Sequence, residues 1–234
     1  MERRDELAQN LAAVRERIAR ACEGAGRPVD DVTLIVITKT RPASDVALLA
    51  DLGVTDVGEN RHPEAGDKQR ETAEAGISLR WHFVGGLQTN KAGAVARYAD
   101  VVHSVDRAKL ARALDRGAEA AGRTVRGLIQ VDFDTTDPGR AGVPPQDVLA
   151  LARVFRDECP HLELGGVMTV APLGQDPAPS FAHLREISAE LTREMPSATT
   201  ISAGMSEDFE SAIAHGATHV RVGRSVLGQR PLLQ

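Results

Sequence analysis

The chain has 234 residues, 42% of them hydrophobic, and a formal net charge of −5. That length and apolar content allow a substantial core, and a mildly acidic chain has no overall pull toward nucleic acid. Aromatic residues make up 3%, with one Trp and one Tyr, which leaves few platforms on which single-stranded nucleic acid would stack.

The first 27 residues are charged throughout and lack the apolar stretch of a signal peptide. Leu7, Leu11, Val14 and Ile18 recur at helical spacing on one face. Gly24 and Gly26, with Pro28 beyond, end that helix. Apolar runs follow at 33–38, 54–58, 80–84, 100–105, 126–133, 162–170, 199–203 and 218–222, most of them separated by helical stretches. Ser44 is predicted to cap the helix in "SDVALLADLG". Asp106 is predicted to cap the one in "DRAKLARALDRGAEAAGR", and Gly122 to end it.

Strands alternating with helices imply parallel pairing through crossover connections. Eight such units fit an α/β fold of the (β/α)8 TIM-barrel type; a doubly wound open sheet is the second arrangement. No Pro/Ser-rich linker divides the chain, so one domain over 1–234 is expected, with residues 1–27 as an extra helix packed on the barrel. No run approaches the roughly 18 apolar residues needed to span a bilayer, and a cytoplasmic location is expected. Cys22 and Cys159 are too few for a disulfide framework. The seven histidines show no HxxxH or HxH clustering, so no metal site is expected.

In a barrel, chemistry sits where strands end. The first strand, "LIVITKTRP", delivers Lys39 there. The last two end in "SAGMS" and "RVGRS", glycine-containing turns ahead of helical segments, offering Ser202, Gly204, Ser206, Gly223 and the backbone N–H groups of Arg224 and Ser225. Such turns suit a phosphate, and barrel closure sets strand 8 beside strand 1. A lysine amine next to a phosphate site suits a Schiff base with a phosphorylated aldehyde, for which pyridoxal 5′-phosphate (PLP) is the natural choice. His82 is a pocket-side candidate. Asn90 and Lys91, in "LQTNK", fit either a plain helix start or a ligand or partner contact.

The blocks "VITKTRP", "DVGEN", "WHFVGGLQTNK", "HSVD", "GVMTV", "SAGMSEDFESAIAHGATHVRVG" and "SVLGQR" resemble the pyridoxal phosphate homeostasis protein family, in order, from Thr33 to Arg230. That family is similar in fold to the N-terminal barrel of alanine racemases. The resemblance implies PLP on Lys39, with Ser202, Gly223 and Arg224 at the phosphate. It also implies Arg221 at the pyridine nitrogen, Asn60 and Met168 lining the pocket, and buffering or delivery of PLP without robust turnover. Departures are Thr38 where serine is usual, Arg61 where tyrosine is frequent and Arg224 where threonine is frequent.

The alternative is a PLP-dependent amino-acid racemase. Racemisation needs a second acid/base on the face opposite the lysine. The only tyrosine, Tyr98, lies in the helical segment after "LQTNK", away from the strand ends, and the chain stops at Gln234 with no second domain. Arginine carries donors only, so Arg221 would make the ring a weak electron sink. The expected role is therefore PLP homeostasis by a non-catalytic, monomeric protein, with apo PLP-dependent enzymes as partners and neither nucleic acid nor membrane.

Overall fold

Eight parallel strands close into a barrel, in sequence order, in the computed structural model, which describes residues 2–134 and 141–228. The strands are β1 (Thr33–Ile37), β2 (Asp56–Glu59), β3 (Arg80–Phe83), β4 (Val101–Val105), β5 (Val125–Val131), β6 (Leu162–Thr169), β7 (Thr200–Ser202) and β8 (His219–Val222). Closure pairs β8 with β1, setting Ile35 against Arg221 and Val36 against Val222. The helices are α1 (Arg3–Gly24), α2 (Ala43–Asp51), α3 (Glu64–Glu74), α4 (Ala92–Val95), α5 (Ala108–Ala120), α6 (Val148–Glu158), α7 (Ala178–Glu194), α8 (Phe209–Ala214) and α9 (Arg224–Leu227). Gln229 and Arg230, which close the last quoted block, lie outside the described residues.

Alternation along each strand divides its side chains between two layers. Outward-facing Val36, Val57, Trp81, Val220 and Val222 pack with Phe209, Val226, Leu227 and the α1 stripe of Leu7, Leu11, Val14 and Ile18. On the other side, Val102, Ile129, Val131, Val167 and Ile201 pack with residues of α4 to α7 such as Leu110, Leu114, Phe155 and Leu184. Burying each such aliphatic side chain contributes about 1.5–3 kcal/mol. Inside the barrel the filling is mixed. Val101, Leu128 and Met168 form a small apolar cluster, while Asp56, His82, His103, Ser202 and Arg221 are buried polar residues.

The glycine stops work as expected. Past α1, Gly26 takes φ 65°, its N–H bonds Glu23 O, and the Arg27 N–H reaches Cys22 O. Gly122 does the same past α5, at φ 64°. Two expected helix starts are corrected. Ser44 lies inside α2, which is preceded by Pro42 and has no side-chain cap. Asp106 turns to the Arg107 guanidinium, and α5 starts after Arg107, also without a side-chain cap. The second strand begins at Asp56, because Val54 still belongs to the close of α2, its N–H bonding Leu49 O.

Candidate functional site

Lys39 stands in a tight turn just past β1. The Arg41 N–H closes this turn on Thr38 O at 3.1 Å. Thr40 takes φ 65°, a left-handed conformation that costs a β-branched residue about 1–2 kcal/mol. Neighbours hold it there. The Thr40 N–H donates to the Glu64 carboxylate at 2.7 Å, and the Arg41 side chain donates to Gly228 O at 2.9 Å. Beneath the turn, the fully buried Thr38 hydroxyl donates to Glu59 Oε1 at 2.7 Å. A second lysine, Lys68 of α3, lies buried in the same place. Its ammonium donates to Thr38 O at 2.9 Å and to Glu59 Oε1. Burial raises the Glu59 carboxyl above its ordinary range, against the opposing pull of Lys68.

Glycines shape the other walls. A Cβ on Gly223 would lie 3.3 Å from Ile37 O, so the start of α9 sits against the strand that delivers Lys39. Gly204, between β7 and α8, has φ 91°, and a Cβ there would come within 2.7 Å of both Ala212 Cβ and Phe209 Cα. Gly85 gives way to the Asn60 backbone, whose carbonyl oxygen would lie 2.3 Å from an added Cβ. N-terminal α1 braces the strand 7 and 8 side. Arg3 and Asn10 donate to the carbonyls of Leu227 and Val226, and Arg17 donates to Ser206 O while stacking 4.4 Å over the Phe209 ring.

Below this rim, polar side chains form one continuous line. Arg221 donates through Nη1 to Ser202 Oγ at 2.7 Å and through Nη2 to Thr169 O at 2.8 Å. Ser202 Oγ lies 2.9 Å from His103 Nδ1, His103 Nε2 lies 2.9 Å from His82 Nδ1, and His82 Nε2 lies 2.8 Å from Asp56 Oδ1. Burial, then the charges of His82 and Arg221, hold the His103 pKa well below the usual histidine range. Burial lowers the Arg221 pKa to about 10, against the attraction of Asp208; it remains a cation at neutral pH. At the amino-terminal mouth, His82, His103 and His219 border a cavity of about 340 Å³ with Arg80 and Arg126.

The alanine racemase N-terminal domain family matches residues 7–231. A pyridoxal phosphate homeostasis protein of Mycobacterium tuberculosis is 43% identical over 247 residues, covering 99% of this chain and 95% of its own. Its Escherichia coli counterpart is 35% identical over 238 residues, covering 97% of each. The chain belongs to the pyridoxal phosphate homeostasis protein family. PipY of Synechococcus elongatus, solved with PLP bound, superposes with a TM-score of 0.81 at 34% identity, covering 95% of this chain and 100% of that one. An alanine racemase of Clostridium difficile shares the barrel fold alone, at 15% identity and a TM-score of 0.74, with 97% of this chain and 57% of the racemase covered.

The positions expected at the cofactor, His82 as a pocket-side candidate and the others from the homeostasis-family resemblance, divide in three. Lys39, Asn60 and Gly223 follow the ends of β1, β2 and β8, and Arg221 and Met168 lie buried just beneath. Ser202 and His82 lie deeper in the barrel. The Ser202 hydroxyl is fully buried, accepts from Arg221 and lies 2.9 Å from His103 Nδ1. His82 lies deep in the barrel, between Asp56 and His103, and borders the opposite mouth. Arg224 turns its exposed side chain to Glu207 at 2.6 Å, which leaves its backbone N–H as the group that can serve an anion.

Asn90 and Lys91 are exposed on a 3₁₀ turn, Thr89–Lys91, that leads into α4. Tyr98 sits nearer the β2 end than its place in the chain suggests. Its ring stacks on His62 at 6.0 Å, and burial, with the charge of Glu59, raises its hydroxyl pKa well above the ordinary value. Sequence reading missed Lys68, His103 and Asp56 as site residues. Two of them lie inside quoted blocks, "HSVD" and "DVGEN".

Proposed function

We propose that this protein binds PLP, held as a Schiff base on Lys39, and buffers or delivers it without robust turnover of amino acids. The observation that carries the reading is the buried Arg221 guanidinium. It is fixed by Ser202 and Thr169 on the strand beside the one that ends at Lys39. When bound, PLP supplies an aldehyde for a lysine and a ring that can take up electrons from a substrate. The residues suit that group. The amine stands on a braced turn, and Gly223 opens α9 close against Ile37. The backbone N–H groups there and the half-buried Ser206 can meet the phosphate.

Arg221 offers only donors and keeps its charge. It therefore favours an unprotonated ring nitrogen and weakens the electron sink that racemisation requires. Lys68 is a poor nucleophile, because Glu59 and the Thr38 carbonyl engage its ammonium. The homeostasis proteins at 35% and 43% identity, and the PLP-bound PipY, support the same reading. A monomer that passes PLP to apo-enzymes, in the cytoplasm, completes the proposal; among the described residues, no helix is long and apolar enough to cross a membrane.

The test is borohydride trapping of the PLP-loaded protein followed by peptide mass spectrometry. A pyridoxyl group on Lys39 is expected; one on Lys68 would overturn the assignment. Deuterium exchange at Cα of alanine, followed by NMR, checks the second half. Rapid exchange with inversion that depends on Lys39 would establish a racemase instead.

A further inference from the structure

The interior line from Asp56 to Arg221 runs in one direction when each histidine carries a single ring proton. Arginine can only donate, and an ionised carboxylate can only accept. Burial pushes the Asp56 carboxyl up, but hydrogen bonds from His82 and Thr55 outweigh this, and the group lies below its usual range. Asp56 is therefore ionised and takes the His82 Nε2 proton. With its proton on Nε2 alone, His82 accepts at Nδ1 and His103 donates from Nε2. His103 in turn accepts at Nδ1 and Ser202 donates its hydroxyl proton there. That leaves a Ser202 lone pair for Arg221. Each link then satisfies the next, and the donation from Arg221 to Ser202 Oγ fits that polarity.

The arrangement also addresses the charge of Arg221. Among the described residues no carboxylate forms a salt bridge with this buried cation, and Asp208 attracts it only from a distance. The line joins the guanidinium to the Asp56 carboxylate through Ser202, His103 and His82, and Asp56 in turn meets Thr55 and Arg80 at the amino-terminal mouth.

We propose that Asp56, His82 and His103 are positioning residues that act through Ser202 to hold Arg221 in the orientation and charge state with which it meets the PLP ring nitrogen. This rests on the reading above, in which Arg221 faces that nitrogen. The guanidinium has five N–H donors, of which two are taken by Ser202 and Thr169. Pinning those two fixes where the others point. A line that reaches the far side of the barrel would make the ring contact sensitive to residues that never touch the ligand.

Two measurements test this. The first needs no ligand: ¹⁵N NMR of the histidine side chains in the wild-type protein. His82 and His103 are both expected as neutral rings with the proton on Nε2. Either ring protonated on Nδ1 would overturn the polarity of the line, whatever the protein binds.

The second compares PLP with its 1-deaza analogue, which lacks the ring nitrogen, in wild type, His103→Phe and His103→Gln. Wild type should prefer PLP. His103→Phe should bind PLP about 3- to 10-fold more weakly, the range of one lost hydrogen bond, with 1-deaza-PLP little changed. It should also move the ¹⁵N shift of the bound PLP ring. His103→Gln, which keeps one donor and one acceptor, should restore both. If wild type binds the two ligands equally, the placement of Arg221 at the ring nitrogen fails. If wild type discriminates and His103→Phe discriminates as well, the positioning role fails while that placement stands. Should His103→Phe not fold, by circular dichroism, Asp56→Asn takes its place with the same expected direction.

Discussion

His219 lets a pH dependence of stability be worked out from one side chain. It sits at the start of β8, bordering the amino-terminal cavity, with its ring 6.4 Å from that of His82 and Nδ1 2.9 Å from Thr218 Oγ1. Burial, followed by the charge of His82, lowers its pKa to about 4; Asp56 pulls the other way, and Arg80 and Arg126 add to the lowering. In the unfolded chain an imidazole takes its proton near pH 6.5. The folded state resists that proton. The stabilisation is therefore complete above pH 6.5 and is lost as pH falls from 6.5 toward 4. Between pH 7.5 and 5.0 the loss is about 2 kcal/mol, an upper figure because the ring is partly exposed. His103 contributes in the same direction, and Asp56, whose pKa is lowered, contributes only at more acid pH. The assay is urea unfolding of the ligand-free protein at pH 7.5 and 5.0, followed by circular dichroism. Wild type should lose up to about 2 kcal/mol more than His219→Gln across that interval. Equal losses in the two proteins would refute the reasoning.

Ser202→Ala should weaken PLP and unphosphorylated pyridoxal alike, by about 3- to 10-fold, because its hydroxyl serves Arg221; a loss confined to PLP in binding titrations would put that hydroxyl at the phosphate after all. Glu59→Gln strips Lys68 of its buried partner and leaves Glu64 at 3.4 Å, so denaturant unfolding should show a loss of about 3 kcal/mol, partly recovered by adding Lys68→Met. Gly204→Ala combines a positive φ with a 2.7 Å clash against Phe209 Cα. It should cost about 2–4 kcal/mol in thermal unfolding, and an unchanged melting temperature would contradict the close approach of α8.

The barrel was legible because its signal is long-range and repeated. Runs such as "LIVI" and "HVRV" are apolar enough to mark strands, and they recur at the spacing of crossover helices. Lys39 and the two glycine turns were legible for the same reason, since barrel topology says which strand ends meet. The helix starts were not. A Ser or Asp ahead of a helical run can cap it only if the backbone leaves the right N–H free. Pro42 and Arg107 occupy the position before α2 and α5 instead.

The interior line was the least visible. Asp56, His82, His103 and Ser202 come from four different strands, and in each strand another polar residue stands nearby: Glu59, Arg80, Ser104 and Thr200. Pairing of β2, β3 and β4 sets the first three side by side, and the curl of the barrel brings Ser202 of β7 across to them. The place of Ser202 in "SAGMS" suggests an anion contact, and β7 sets its hydroxyl beside Arg221 and His103.

Helix α1 and the turn after it tie early and late parts of the chain together in time as well as in space. Arg3, Asn10 and Arg27 donate to the carbonyls of Leu227, Val226, Ile213 and Ala217, partners that follow them by 224, 216, 186 and 190 residues. On a ribosome α1 emerges before every strand of the barrel, and its apolar stripe lacks its late partners, Phe209, Val220, Val222, Val226 and Leu227, until the last strands are made. Contacts so distant in sequence close late and slowly. The turns that follow β7 and β8 are thus braced by a segment made long before them, and a nascent chain stalled before β8 would carry Leu7, Leu11, Val14 and Ile18 only partly covered, a natural handle for a chaperone.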